Sequence, residues 1–103
     1  MTLVITGSSR GGELPPETLR LLDSLLDTNE PVTLLAYGDA VYALAAGAPG
    51  AAALTSRPGL ALAAVAADLA ARGLGDPAPG VEAIDYGQAV DRIFAAGRIC
   101  TWV

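Results

Sequence analysis

The chain has 103 residues, 52% of them apolar, and a net charge of −5; the length fits one domain and excludes a catalytic domain joined to a substrate domain. It has no histidine, no lysine and one cysteine, which excludes Ser-His-Asp and Cys-His catalysis, imidazole metal ligands, Schiff bases and a P-loop lysine. The acidic balance also argues against direct contact with a nucleic-acid backbone, which needs a basic surface.

Leu3-Val4-Ile5 is a short apolar run that leads into Thr6-Gly-Ser-Ser-Arg-Gly-Gly12, and so reads as an early, central strand followed by a flexible loop. Pro15 and Pro16 suit a first helical turn. Leu19, Leu22 and Leu26, widened by Leu21 and Leu25, predict a helix over roughly Pro16 to Asp27. Asn29-Glu-Pro31 breaks it, and Val32-Thr-Leu-Leu-Ala36 predicts a second strand, paired with the first. Gly38 and Asp39 supply a turn and a helix N-cap for a short helix marked by Val41, Leu44 and Ala45, after which a loop runs through Pro58.

Leu60 to Gly73 fits two patterns, because Leu60 and Leu62 alternate as in a strand while Leu62, Val65 and Leu69 also keep helical spacing. We divide it into a strand near Leu60–Ala64 and a helix near Ala66–Arg72 ended by Gly73, with tertiary context overriding the helix preference of alanine in the first half. Gly75 to Gly80 is a turn-rich connector, and Val81-Glu-Ala-Ile84 is a brief strand. Asp85 with Gln88 forms a capping-box pattern for a helix whose apolar stripe is Ala89, Val90, Ile93 and Phe94 and which ends at Gly97. Arg98 to Val103 reads as a last strand. Strands alternating with helices on short loops predict right-handed crossovers and a mostly parallel sheet covered on both faces.

Of the apolar residues, 21 are alanine and only 27 are Leu, Ile, Val or Phe, so the elements must pack backbone close to backbone. The mean hydropathy of +0.47 leaves apolar area uncovered in a monomer, which favours an oligomer or a stable partner. Arg57, Asp68 and Arg72 interrupt the alanine-rich middle, so no membrane span is expected. The first residues lack the basic start and long apolar core of a signal peptide, and one cysteine cannot form an internal disulfide; both fit a cytoplasmic protein.

Three features carry candidate chemistry. The Gly7 to Gly12 loop, lying between a strand and a helix, resembles the cofactor loop of short-chain dehydrogenases, but Glu13 stands where the last glycine belongs and no Tyr-x-x-x-Lys exists. It reads as a surface turn or as a small nucleotide- or anion-binding nest with Arg10 as its one cation. Asp39 and Tyr42 sit where the second strand gives way to a helix, the end of a parallel sheet where ligands bind; an N-cap and an interface residue are the simpler roles. Cys100 shares a strand face with Trp102, opposite Ile99 and Thr101, and is the one candidate for thiol or persulfide chemistry. An inert, apolar setting is its simpler reading.

The ordered set Pro31-Val-Thr-Leu-Leu-Ala-Tyr-Gly-Asp-Ala-Val-Tyr-Ala-Leu44, Leu60-Ala-Leu62 with Asp68-Leu-Ala-Ala-Arg-Gly-Leu74, Ile84-Asp-Tyr-Gly-Gln-Ala-Val90 and Cys100-Thr-Trp-Val103 resembles the DsrH/TusB subunits of DsrEFH-type sulfur-relay complexes. The resemblance covers most of the chain and implies one domain over residues 1–103, a three-layer α/β/α fold with about five strands. It implies DsrE/TusD-like and DsrF/TusC-like paralogues as neighbours and a DsrC/TusE-like sulfur carrier, in persulfide transfer for tRNA wobble 2-thiouridine synthesis or for sulfur oxidation. Some family members carry a cysteine early in the chain and this sequence has none there; Ala40 also stands where glycine is common after the aspartate. The resemblance therefore implies a structural, non-sulfur-carrying subunit without independent activity and without cofactor or metal. Cys100 as sulfur acceptor is the alternative, and Arg10, Asp39, Tyr42 and Trp102 are the candidate interface or cleft residues.

Overall fold

A computed structural model describes residues 1–102 of the chain, and of Trp102 the backbone alone. Five strands, β1 (Thr2–Thr6), β2 (Val32–Ala36), β3 (Leu60–Val65), β4 (Val81–Ile84) and β5 (Arg98–Trp102), form one sheet in the order β4-β3-β2-β1-β5. Every pairing is parallel, so all carboxyl ends lie along one edge. β2, not β1, is the central strand; β1 is internal because β5 pairs on its other side.

Parallel neighbours need crossovers, and their handedness assigns each helix to a face. From β1 through β4 the chain steps steadily in one direction. Helices α1 (Pro16–Leu26), α2 (Ala51–Thr55) and α3 (Ala66–Ala71), with the 3₁₀ segment Gly38–Leu44, therefore share the front face. There Leu22, Leu54, Leu69, Val41 and Leu44 pack with Val4, Leu34 and Leu62 of the strands. The last crossover must return past β3, β2 and β1, which puts α4 (Tyr86–Ala95) behind the sheet. Its Ala89 and Ile93 pack on Leu3, Leu35, Ala63 and Val65.

Alanine allows this close packing. β3 carries Ala63 and Ala64 with no exposure at all, and hydrogen bonding to strands on both sides holds as a strand a segment whose composition favours helix. In α4 the expected capping box is present: the Asp85 carboxylate accepts the Gln88 backbone N–H at 2.7 Å, and the Gln88 side chain accepts the Asp85 N–H at 2.9 Å.

Two further expectations change. Residues 51–55 are helical where a loop was expected, since Ala51-Ala-Ala-Leu retains its helix preference between Gly50 and Pro58. The segment after β2 is 3₁₀ and begins at Gly38, so Tyr37 holds the N-cap position and Asp39 lies inside the first turn instead of capping it. Val103, the expected last residue of β5, lies outside the described residues. Among the described residues, no helix is long and apolar enough to cross a membrane.

Leu34 is fully buried at the centre of the front core. Leu34→Ala is expected to lower unfolding stability by about 3 kcal/mol, read as a lower urea midpoint at unchanged slope.

Candidate functional site

The carboxyl ends of β1, β2 and β3 open onto a polar network and an adjoining apolar cleft. Gly7, just past β1, lies flat against the Tyr37 ring: a Cβ on Gly7 would come within 2.6 Å of the ring carbon Cζ, so glycine is required for the ring to seat there. Gly38 follows with φ of +54°, a left-handed conformation that costs glycine little. This turn aims the Gly38 N–H at the Asp68 carboxylate of α3, 2.8 Å away.

Asp68 is the hub. Its Oδ1 accepts the Tyr86 hydroxyl of α4 at 2.8 Å, its Oδ2 accepts the Gly38 N–H, and Arg72 Nη1 stands 3.9 Å from Oδ1. Arg72, one helical turn on from Asp68, donates from Nη1 to the Asp68 carbonyl at 3.1 Å. Its Nε and Nη2 both donate to Asp39 Oδ1, at 3.0 and 2.9 Å. Ser9 of the first loop donates to the Asp39 carbonyl oxygen at 2.9 Å. Four elements from both sides of the sheet are thereby tied together at one edge. The Asp68 side chain is only 16% exposed, so it is screened less than a surface ion.

Hydrogen bonding to Asp68 raises the Tyr86 pKa above the ordinary value of 10.0; burial and the Asp68 charge add to the rise, and Arg72 opposes it. The phenol thus holds its proton more firmly and donates it to the carboxylate. Beside it, behind the sheet, lies a cleft of about 240 Å3 whose exposed lining is entirely apolar, between Ile5, Leu35 and Val65 on the strands and Tyr37, Tyr86 and Val90. It can hold an apolar group, and no nucleophile lines it.

The sequence-predicted residues do not assemble into one site. Asp39 joins the network. Tyr42 is exposed on the same 3₁₀ segment and has no side-chain hydrogen bond among the described residues. Arg10 is 68% exposed and pairs with Glu17 at 3.1 Å. Two prolines, Pro15 and Pro16, remove amides from the start of α1, and Glu13 and Glu17 flank the loop, so the Gly7–Gly12 loop offers little to an anion. Glu17 has its pKa lowered, first by a hydrogen bond from its own backbone and, against some burial, by Arg10.

Cys100 is half-buried in β5, in register with Val4 and packed at the border of the front core, on the opposite face from the apolar cleft. The Trp102 side chain lies outside the described residues. No cluster of three metal-ligating side chains occurs among the described residues. Sequence reasoning missed Tyr37, Asp68, Arg72 and Tyr86. The placement of Tyr37 directly after β2 and of Tyr86 two residues after β4, and the i, i+4 spacing of Asp68 and Arg72, were the available signals.

The family model described as DsrH like protein matches residues 15–97. Asp39, Asp68, Arg72 and Tyr86 lie within that stretch, and Arg10 and Cys100 lie outside it. No curated protein matches the chain. The crystal structure of the ychN protein from E. coli superimposes with a TM-score of 0.77 at 23% identity, covering 98% of this chain and 97% of that one, a likeness of fold.

Asp68→Asn is expected to bring the Tyr86 titration down toward the ordinary tyrosine value. The phenolate absorbance difference between each protein and its Tyr86→Phe counterpart reads that one group. The folded pKa is raised, so the stability from this bond is complete below about pH 10 and is lost as pH rises through the higher folded value. An unshifted Tyr86 titration in Asp68→Asn would refute the coupling.

Proposed function

The chain belongs to the DsrH-like family, a family of sulfur-relay subunits, and from that membership we propose that it is a structural, non-sulfur-carrying member of a cytoplasmic relay complex. Its neighbours are DsrE/TusD-like and DsrF/TusC-like paralogues, and the complex hands persulfide sulfur to a DsrC/TusE-like carrier. The sulfur serves tRNA wobble 2-thiouridine synthesis or sulfur oxidation, and the identity of the co-purifying carrier distinguishes the two. In this reading the subunit has no activity of its own.

One observation carries the proposal. Behind the sheet, α4 turns a stripe of Tyr86, Val90 and Phe94 outward at i, i+4 and i+8 spacing, and Phe94 is 85% exposed. Ile99 of β5, also largely exposed, lies on this back face. A small acidic protein that keeps a phenylalanine in water has a use for it, and aromatic anchors with apolar surroundings are what protein interfaces are built on. The polar network supports the same role, because it fixes the N-terminus of α4 through Tyr86 and so presents the stripe in a set orientation.

The chemistry of the described residues fits scaffolding. Asp68, Asp39 and Arg72 spend their charges on one another, and the lone thiol sits apart from them. The subunit's task is then to hold the thiol-bearing partner and to keep water from its persulfide with an apolar surface.

Isolation of the assembly from native cells is expected to yield two acidic partners of similar size. Phe94→Asp is expected to weaken that association by about 2 kcal/mol or more while changing the stability of the separated subunit by no more than about 0.5 kcal/mol. A stable, partnerless monomer in native extracts would refute the role.

Cys100 supplies the opposing test, since it is partly accessible. Incubation with a persulfide donor followed by intact mass measurement is expected to leave the protein without an added sulfur atom. A gain of sulfur that disappears in Cys100→Ala would make the chain a carrier.

A further inference from the structure

On the front of the molecule, α1 and α2 do not close on each other. A cleft of about 300 Å3 remains between them, walled by Leu14, Leu19, Ala43, Ala53 and Leu54. Its rim holds three charged side chains, Glu13, Asp23 and Arg57. Arg57 is already committed to an ion pair with Asp23. Glu13 takes part in no ion pair among the described residues. Its Oε1 lies 3.6 Å from the point where a Cβ on Gly50 would stand, so the carboxylate reaches across from the loop before α1 to the start of α2.

We infer that this cleft is a binding site for a short alkyl chain ending in a cationic nitrogen, an alkylammonium or alkylguanidinium group, with Glu13 as the counter-charge. The apolar walls match a methylene stem, the way lysine and arginine stems cover apolar surface while their heads stay polar. The rim carries two carboxylates against one guanidinium, and the excess negative charge stands at Glu13. An alkyl carboxylate would meet that charge as repulsion, and a neutral alkyl group would leave it unused. Leu19, exposed by 37% at the mouth, is the apolar surface such a stem would cover. The cleft lies on the opposite face from the α4 stripe and shares no lining residue with the Tyr86–Asp68 network, so the inference stands apart from the role in sulfur relay.

Titration of the whole chain with pentylammonium, followed by methyl resonances, tests it. Saturable shifts are expected at Leu19, Ala43, Ala53 and Leu54, and 1-pentanol is expected to bind less tightly. Glu13→Gln is expected to weaken pentylammonium about five-fold, the upper size of a partly exposed ion pair, and to leave pentanol unchanged. Ala53→Leu, which fills the cleft from α2, is expected to abolish both. A doubly capped lysine peptide separates the sources: saturation at the same methyls makes the ligand a partner's side chain, and saturation by the free amine alone makes it a small amine. Absence of saturation, equal affinity for the alcohol, shifts centred elsewhere, or an indifferent Glu13→Gln that keeps its native circular dichroism would overturn the inference.

Discussion

A right-handed crossover that returns from β4 to the far side of β1 has to travel behind the sheet, and α4 alone makes that journey. Four connecting elements crowd the front, where they bury Leu22, Leu44, Leu54 and Leu69 on the strands. The single helix at the back covers Leu3, Leu35 and Ala63 and leaves its own flank and Ile99 in solvent. The asymmetry of the molecule, a finished face and an unfinished one, follows from strand order and handedness. The apolar cleft under Tyr37 and Tyr86 and the Phe94 stripe are two parts of that unfinished face.

The polar residues at the carboxyl edge answer a problem that the same topology creates. A lone helix has no helical neighbour to hold it, and Tyr86, at its first turn, ties it by one hydrogen bond to Asp68 in the front layer. Asp68 in turn holds the Gly38 turn, and Arg72 links it to Asp39. Each carboxylate is satisfied by a donor that another element supplies, which is how a partly buried charge is made tolerable. A site of this kind positions elements.

Much of the fold was legible in the sequence. The run Leu3–Ile5 is apolar throughout and Val32–Ala36 is broken only by Thr33, because both faces of an inner parallel strand are covered, and the capping pair Asp85 and Gln88 marks the start of α4 by purely local chemistry. The split of 60–73 into strand and helix also holds, although only the neighbouring strands decide it. What stayed hidden depends on contacts far apart in sequence: Arg72 with Asp39, 33 residues apart, and Tyr86 with Asp68, 18 apart. Asp39 looked like a cap because its type and place suit one; the left-handed Gly38 moves the start of the 3₁₀ turn and frees its side chain for Arg72. The resemblance to the DsrH/TusB subunits, and the α/β layers it implied, agree with the family match and with the superposition on the ychN protein.

The pairing of β1 with β5 also bears on how the molecule is made. Thr2 and Arg98 are partners 96 positions apart, and the Met1 carbonyl accepts the backbone N–H groups of both Gly97 and Arg98. During synthesis β1 leaves the ribosome long before β5 and keeps one side of its ladder open until β5 has followed. Such an unpaired edge is a template for wrong strands, and closing a loop of that span is the slow part of folding. The nascent chain is therefore most exposed to misassembly just before β5 arrives, and a chaperone that shields β1 during that interval would raise the yield without touching the finished protein.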